Sequence, residues 1–209
     1  MPATYPTESD LERYLIATGI VNSAPQSPFT FLDLNQLVLA AKNNFEGRIG
    51  RTILATTQTR IYDPPSFPRV MLPLVDDLAQ MTSLSVTGVV KILNADYFLR
   101  PENADVQQKP FNLVEFAVPI YGPRKCISIT GFWGYSLAIP DGPHQSILAR
   151  AAYLAQPQLA AAVSRGLVSW KEDDVSETYG TDPLGFLRDQ WDQLYEGGVE
   201  KFRKVTVYL

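Results

Sequence analysis

The chain has 209 residues, enough for one elaborated domain or two small ones with a real core. It is 45% apolar and 19% charged, which excludes a disordered polypeptide, and no apolar run approaches the ~20 residues that span a bilayer. A net charge of −4 and a pI near 5.0 argue against a DNA-wrapping surface, because duplex affinity comes mainly from Lys and Arg neutralising phosphates.

The start of the chain, Met1-Pro2-Ala3-Thr4-Tyr5-Pro6, has neither the basic opening nor the apolar stretch of a signal peptide, so synthesis and retention in the cytoplasm are expected. Ser9 then reads as a helix N-cap, with Glu12 three residues on completing a capping box. Leu11, Tyr14, Leu15 and Thr18 share one face of that helix, and Gly19 supplies the left-handed residue that ends it. A loop follows over 21–29. A second helix carries the stripe Leu34, Leu37, Val38, Ala41, Phe45 and Ile49, opened by Asp33 and stopped by Gly47 and Gly50. From Thr52 to Tyr62 the sequence turns threonine-rich and alternating, like a half-buried strand, until Asp63-Pro64-Pro65 breaks it.

Short β-prone runs at Leu84–Val86, Val89–Leu93, Tyr97–Leu99, Val114–Phe116 and Cys126–Thr130 are punctuated by Gly, Asn, Asp and Pro. Runs spaced in this way predict a small antiparallel sheet or sandwich, since βαβ units need long helices between strands. The lone Cys126 excludes an intrachain disulfide and reads as a buried thiol. After Pro140 the pattern is helical again: Pro143 opens an alanine-rich helix with Ile147, Leu148, Ala151, Ala152, Leu154 and Ala155, ending near Pro157, and Ala160 to Ala162 continue it after a break. A polar stretch with strand-like touches covers 166–179. Asp182-Pro183 starts a last helix that packs through Leu184, Leu187, Trp191 and Leu194, and Gly197-Gly198 ends it. Phe202 to Leu209 alternates like a strand.

The expected fold class is α+β: a discontinuous helical core over 1–62 and 137–198, a β-rich insertion over 63–136, and an extended C-terminal tail over 199–209.

No residue pattern here assembles a reaction. His144 has no second histidine, so neither a metal site nor a histidine acid/base pair is expected, and Cys126 has no histidine nearby in sequence to activate a catalytic thiol. Glu172-Asp173-Asp174 lacks the glycine and the alternating oxygen ligands of a calcium loop and reads as a solvated turn. The glycines of Gly131-Phe132-Trp133-Gly134-Tyr135 have no P-loop spacing and no Lys-Ser/Thr pair after them. They read as places where the backbone turns while the rings seal a join between sheet and helices, with an exposed aromatic patch for a partner, through Trp133 and Tyr135, as the functional rival. The tail residues Phe202, Val205, Val207 and Leu209 either pair within their own sheet or, swung out on Gly197-Gly198, add a strand to a neighbour. No catalytic, metal or cofactor-binding residue is assigned.

The run Ile129-Thr130-Gly131-Phe132-Trp133-Gly134-Tyr135-Ser136, followed by Pro140 and the alanine-rich stretch from Ile147 to Ala155, resembles the head-to-tail adaptor (connector) proteins of tailed bacteriophages. So does the upstream order, a helix closing on Phe45-Glu46-Gly47-Arg48-Ile49-Gly50-Arg51-Thr52 and then a strand. Leu72-Pro73-Leu74 running on to Thr82-Ser83-Leu84-Ser85-Val86 is similar to the start of the β insertion in longer members, and Tyr97 to Ala104 to its middle. The resemblance implies a structural virion protein made in the host cytoplasm and placed at the head-tail interface, not an enzyme. By resemblance its copies form a ring of about twelve on the portal protein, receive a downstream neck or tail protein, and pass DNA without binding it specifically. An acidic lining would repel phosphate and let the genome slide. The rival expectations are a neck or tail-completion ring protein and a soluble binding module on the β-rich part.

Overall fold

The computed structural model describes residues 4–18, 33–107, 109–164, 170–172, 175–177 and 185–204. The fold is α+β, and it divides into a sheet unit over 51–140 and a helical unit over 5–50 and 141–209.

In the helical unit, α1 (Glu8–Ala17) is capped by Thr7, not Ser9. The Thr7 side chain accepts from the Asp10 amide at 3.3 Å while the Asp10 carboxylate accepts from the Thr7 amide at 2.9 Å. A cap at Thr7 starts the helix early enough to put Leu11 and Leu15 fully inside, and each buried leucine contributes about 1.5–3 kcal/mol. Helix α2 (Leu34–Ile49) follows its expected stripe: Val38, Ala41, Phe45 and Ile49 are buried. Its cap Asp33 accepts from the Gln36 amide at 3.0 Å, and Gly50 closes it at φ 70°. Gly47 is an ordinary helical position.

Helix α4 (Asp141–Ser164) and helix α5 (Gly185–Phe202) lie against each other, and both overrun their expected ends. Pro157 sits inside α4 without stopping it, and Leu159 beyond it is buried. Gly197-Gly198 does not end α5: Gly198 is where α5 closes on α4, and the helix continues to Phe202, which is buried. The strand expected from Phe202 therefore begins with a helical residue, while Val205, Val207 and Leu209 lie outside the described residues. So do Gly19, the loop 21–29, Asp173, Asp174 and Asp182-Pro183. Two short strands, β7 (Trp170–Glu172) and β8 (Val175–Glu177), pair antiparallel.

The sheet unit contains β1 (Thr56–Tyr62), β2 (Met71–Val86), β3 (Val89–Lys91), β4 (Tyr97–Arg100), β5 (Phe111–Phe116) and β6 (Ile127–Trp133), with a one-turn helix α3 (Ala104–Gln107) that the sequence did not signal. The order is β1-β6-β2-β5-β4, all antiparallel, with β3 paired to β2. Strand β1, expected with the helical core, is an edge of this sheet. Strand β2 is far longer than the Leu84–Val86 run that marked it: Met71 to Leu78 pairs with β5 and Leu78 to Val86 with β6, through register shifts. Those shifts interrupt the alternation of apolar residues, which is why the run from Met71 does not read as one strand. Leu72, Leu78, Leu84, Val114, Phe116, Ile127, Ile129 and Trp133 belong to one core, and Cys126 is buried at its margin.

Candidate functional site

Of the residues singled out by sequence, Trp133 is 2% exposed. Its indole N–H donates to the Gln58 carbonyl at 3.1 Å, its ring stacks on Tyr62 at 6.1 Å, and the Arg60 guanidinium covers it at 4.3 Å. Burial holds the Tyr62 pKa above the ordinary tyrosine value. The Trp133 ring thus fills the sheet unit's own core and does not stand ready for a partner. Tyr135 is half-buried beneath the Arg51 guanidinium at 5.2 Å. The glycines of the same motif have separate duties. A Cβ on Gly131 would come within 2.4 Å of the Gln80 carbonyl, so β6 and β2 approach there as only glycine allows. Gly134 turns the chain at φ 148°, 2.6 Å from Ala55 Cα measured to a Cβ built on it, so that its amide donates to the Asp77 carbonyl at 2.8 Å.

Beside this motif a pocket of about 100 Å³ is lined by Arg51, Thr56, Gln58, Arg60, Asp76 and Asp77 among others. Arg51 pairs with Asp77 at 3.4 Å and Arg60 with Asp76, so the charges in the pocket answer one another. It holds no histidine, cysteine, serine or lysine, and no group of three His, Cys, Asp or Glu able to hold a metal occurs among the described residues. The pocket offers ion pairs that tie β2 to β1 and to the segment leading into it.

An exposed aromatic pair lies elsewhere, in the loops that join β1 to β2 and β5 to β6. Phe67, in the β1–β2 loop, and Tyr121, in the β5–β6 loop, are 67% and 71% exposed and meet at 5.6 Å between ring centres. Prolines 64, 65, 68, 119 and 123 stiffen both loops. The Arg69 amide donates to the Ser66 carbonyl at 2.8 Å and the Lys125 amide to Asp63 Oδ1 at 2.7 Å, fixing the loops' paths. Arg69, Arg124 and Lys125 are exposed in the same two loops, and none of the three is ion-paired among the described residues. Next to Tyr121, Gly122 packs on Cys126 and toward Thr87, in the β2–β3 turn, where Thr87 and Gly88 both have positive φ. Beyond that turn Val89 and Val90 are also exposed. The signal that would have found this surface is its composition: an aromatic beside prolines in each of two loops, one of them neutral (Asp63, Arg69) and one basic (Arg124, Lys125), on a chain whose net charge is acidic.

In the helical unit, α5 has an outer face opposite its buried Trp191, Tyr195 and Val199. Phe186 stands on it at 81% exposure, with Asp189, Gln193 and Glu200 along the same face and half-exposed Leu194 at its flank.

No protein-family model matches the chain, and no curated protein does. Solved structures do share its fold. A chain in the neck of an empty gene transfer agent particle, computed with C6 symmetry, aligns at TM-score 0.52 and 16% identity over 100% of this chain and 96% of that one. A chain from the neck of the native particle, computed with C12 symmetry, aligns at TM-score 0.50 and 16% identity over 100% and 96%. One from the virion of the native gene transfer agent particle aligns at 0.52 and 15% over 100% and 94%. At such identities the likeness is one of fold.

Proposed function

We propose that this chain is a structural protein of the neck of a phage-like virion, that its copies form a ring joining the portal to the tail or neck, and that the ring continues the DNA channel. The observation carrying this reading is that the whole chain, sheet unit and helical unit together, aligns with nearly the whole of chains taken from gene transfer agent necks. An end-to-end match with two different units kept in one order is more demanding than a match to a common sheet or bundle. On this reading the protein is not an enzyme and needs no cofactor. Its partners are its own copies, the portal and a downstream neck or tail protein, and DNA passes without specific binding.

The test is negative-stain microscopy of the purified chain mixed with the portal protein encoded alongside it. An added ring of density on the portal's tail-facing end is the expected result. Folded chain that adds no density overturns the portal-adaptor role. It would favour a soluble binding module on the sheet unit, a second reading that the exposed Phe67–Tyr121 pair supports.

A further inference from the structure

Resting on the ring reading above, we infer that neighbouring copies join through the Phe67–Tyr121 loop pair of one copy and the outer face of α5 on the next. The loop pair has the composition of an interface centre: two aromatics in contact, with the exposed Arg69, Arg124 and Lys125 in the same two proline-stiffened loops, which lose little freedom on docking. Charge selects the occupant. Residues 51–140 carry eight Lys or Arg against seven Asp or Glu, and the rest of the chain ten against fifteen. The unpaired cations of the sheet unit therefore face a deficit of positive charge that the helical unit of a second copy supplies.

Within the helical unit, the outer face of α5 matches in chemistry as well as sign. It offers the exposed Phe186 and Leu194 to the loop aromatics, and to the loop cations Glu200 together with Asp189, whose solvent-exposed pair with Arg188 at 3.6 Å is weak enough to exchange. Two different surfaces, one on each unit, make a head-to-tail contact, the kind that generates rings when the rotation closes. Three cations make a small site for duplex DNA, whose affinity comes mainly from the number of phosphates neutralised.

Charge exchange tests the pairing. The variant Arg124→Glu/Lys125→Glu and the variant Asp189→Lys/Glu200→Lys are each mixed with portal and followed by sedimentation velocity and microscopy; circular dichroism melts check that these surface changes leave both folded. Each variant alone is expected to lose self-association by about tenfold or more. The two mixed, or all four substitutions in one chain, are expected to regain it, because each reversed loop then meets a reversed helix. Wild-type chain that forms no ring on portal overturns the ring reading itself. Wild-type rings that both variants also form, or a loss that the exchange does not rescue, overturn this pairing alone. Unchanged rings with weakened binding of a duplex oligonucleotide by the loop variant would overturn it in favour of a DNA contact.

Discussion

A Cβ placed on Gly198 of α5 would come within 2.0 Å of the Ser146 hydroxyl of α4, whose oxygen donates to the Gly142 carbonyl at 2.9 Å and reaches the Leu194 carbonyl at 3.3 Å. The two helices meet backbone to side chain at this point, with Phe45 of α2 closing the other side at 3.5 Å. Gly198→Ala forces the serine and the helix apart and is expected to cost about 1–3 kcal/mol, the range for overpacking a filled core. Gly197, one residue earlier, has nothing within 4 Å of its Cβ position and sits exposed in the same helix. Gly197→Ala is expected to stabilise by roughly 0.5–1 kcal/mol through helix propensity. Urea unfolding of the two variants checks both signs, and the same sign for both would contradict the packing described.

Gly131 makes the corresponding point in the sheet. Gly131→Ala drives a methyl group into the Gln80 carbonyl and the Leu78 side chain, at 2.4 and 2.9 Å. The clash falls at the register shifts where β2 and β6 pair, so the ladder must open there to accept it. A loss of about 1–3 kcal/mol is expected, with faster amide exchange in Leu78 to Ser83 and unchanged exchange in α2. Uniform exchange across both units would show that the strain is not local.

These glycines show what sequence carried and where it stopped. The α+β class was legible because the stripe Val38, Ala41, Phe45, Ile49 and the alternation in β6 are local periodicities, complete within one element. The ends of elements were not. Gly198 and Pro157 have the local chemistry of terminators, yet burial of Val199, Phe202 and Leu159 on the far side holds each helix together, and that burial depends on distant elements. Trp133 and Tyr135 stood out as aromatics between glycines, but the indole is consumed by Gln58, Tyr62 and Arg60, which sequence separates from it by about seventy residues. Phe67 and Tyr121 were hidden for the same reason: each looks like part of a proline turn until the fold brings the two rings together.

Arg51 and Asp77 form an ion pair with side chains 14% and 6% exposed, at 3.4 Å. Removing one partner leaves a charge in a site with little access to water. Asp77→Ala is expected to cost about 3–5 kcal/mol, while Arg51→Met/Asp77→Leu, which removes both charges and keeps the volume, should recover most of that loss. A double-mutant cycle by thermal unfolding measures the coupling. Additive effects in that cycle would show that Asp77 does not act through its pairing with Arg51.

Stability should fall at both ends of the pH scale, with contributions from α1 and α5 that single substitutions can isolate. The Asp10 carboxyl is held below the ordinary carboxylate value first by the Thr7 hydroxyl and then by the Thr7 amide. A carboxylate depressed in the folded state contributes stability above its unfolded value, and that contribution is lost as the pH falls through the folded one, below about pH 4. Thr7→Ala removes the cap, costs about 1 kcal/mol at neutral pH, and should flatten this acid limb. At the other end, burial raises the Tyr195 hydroxyl above the ordinary tyrosine value, against the nearby Arg48 and Arg150, while the hydroxyl donates to Asn44 Oδ1. A group raised in this way keeps its stabilising effect below the unfolded value and loses it as the pH rises through the folded one, above about pH 10. Tyr195→Phe is expected to lower stability at pH 7, since Asn44 loses its donor, and to narrow the gap to wild type as the pH approaches 11. Melting temperatures of wild type and both variants across this range decide the matter: an acid limb unchanged by Thr7→Ala would remove Asp10 as its source, and a constant gap for Tyr195→Phe would do the same for the phenol.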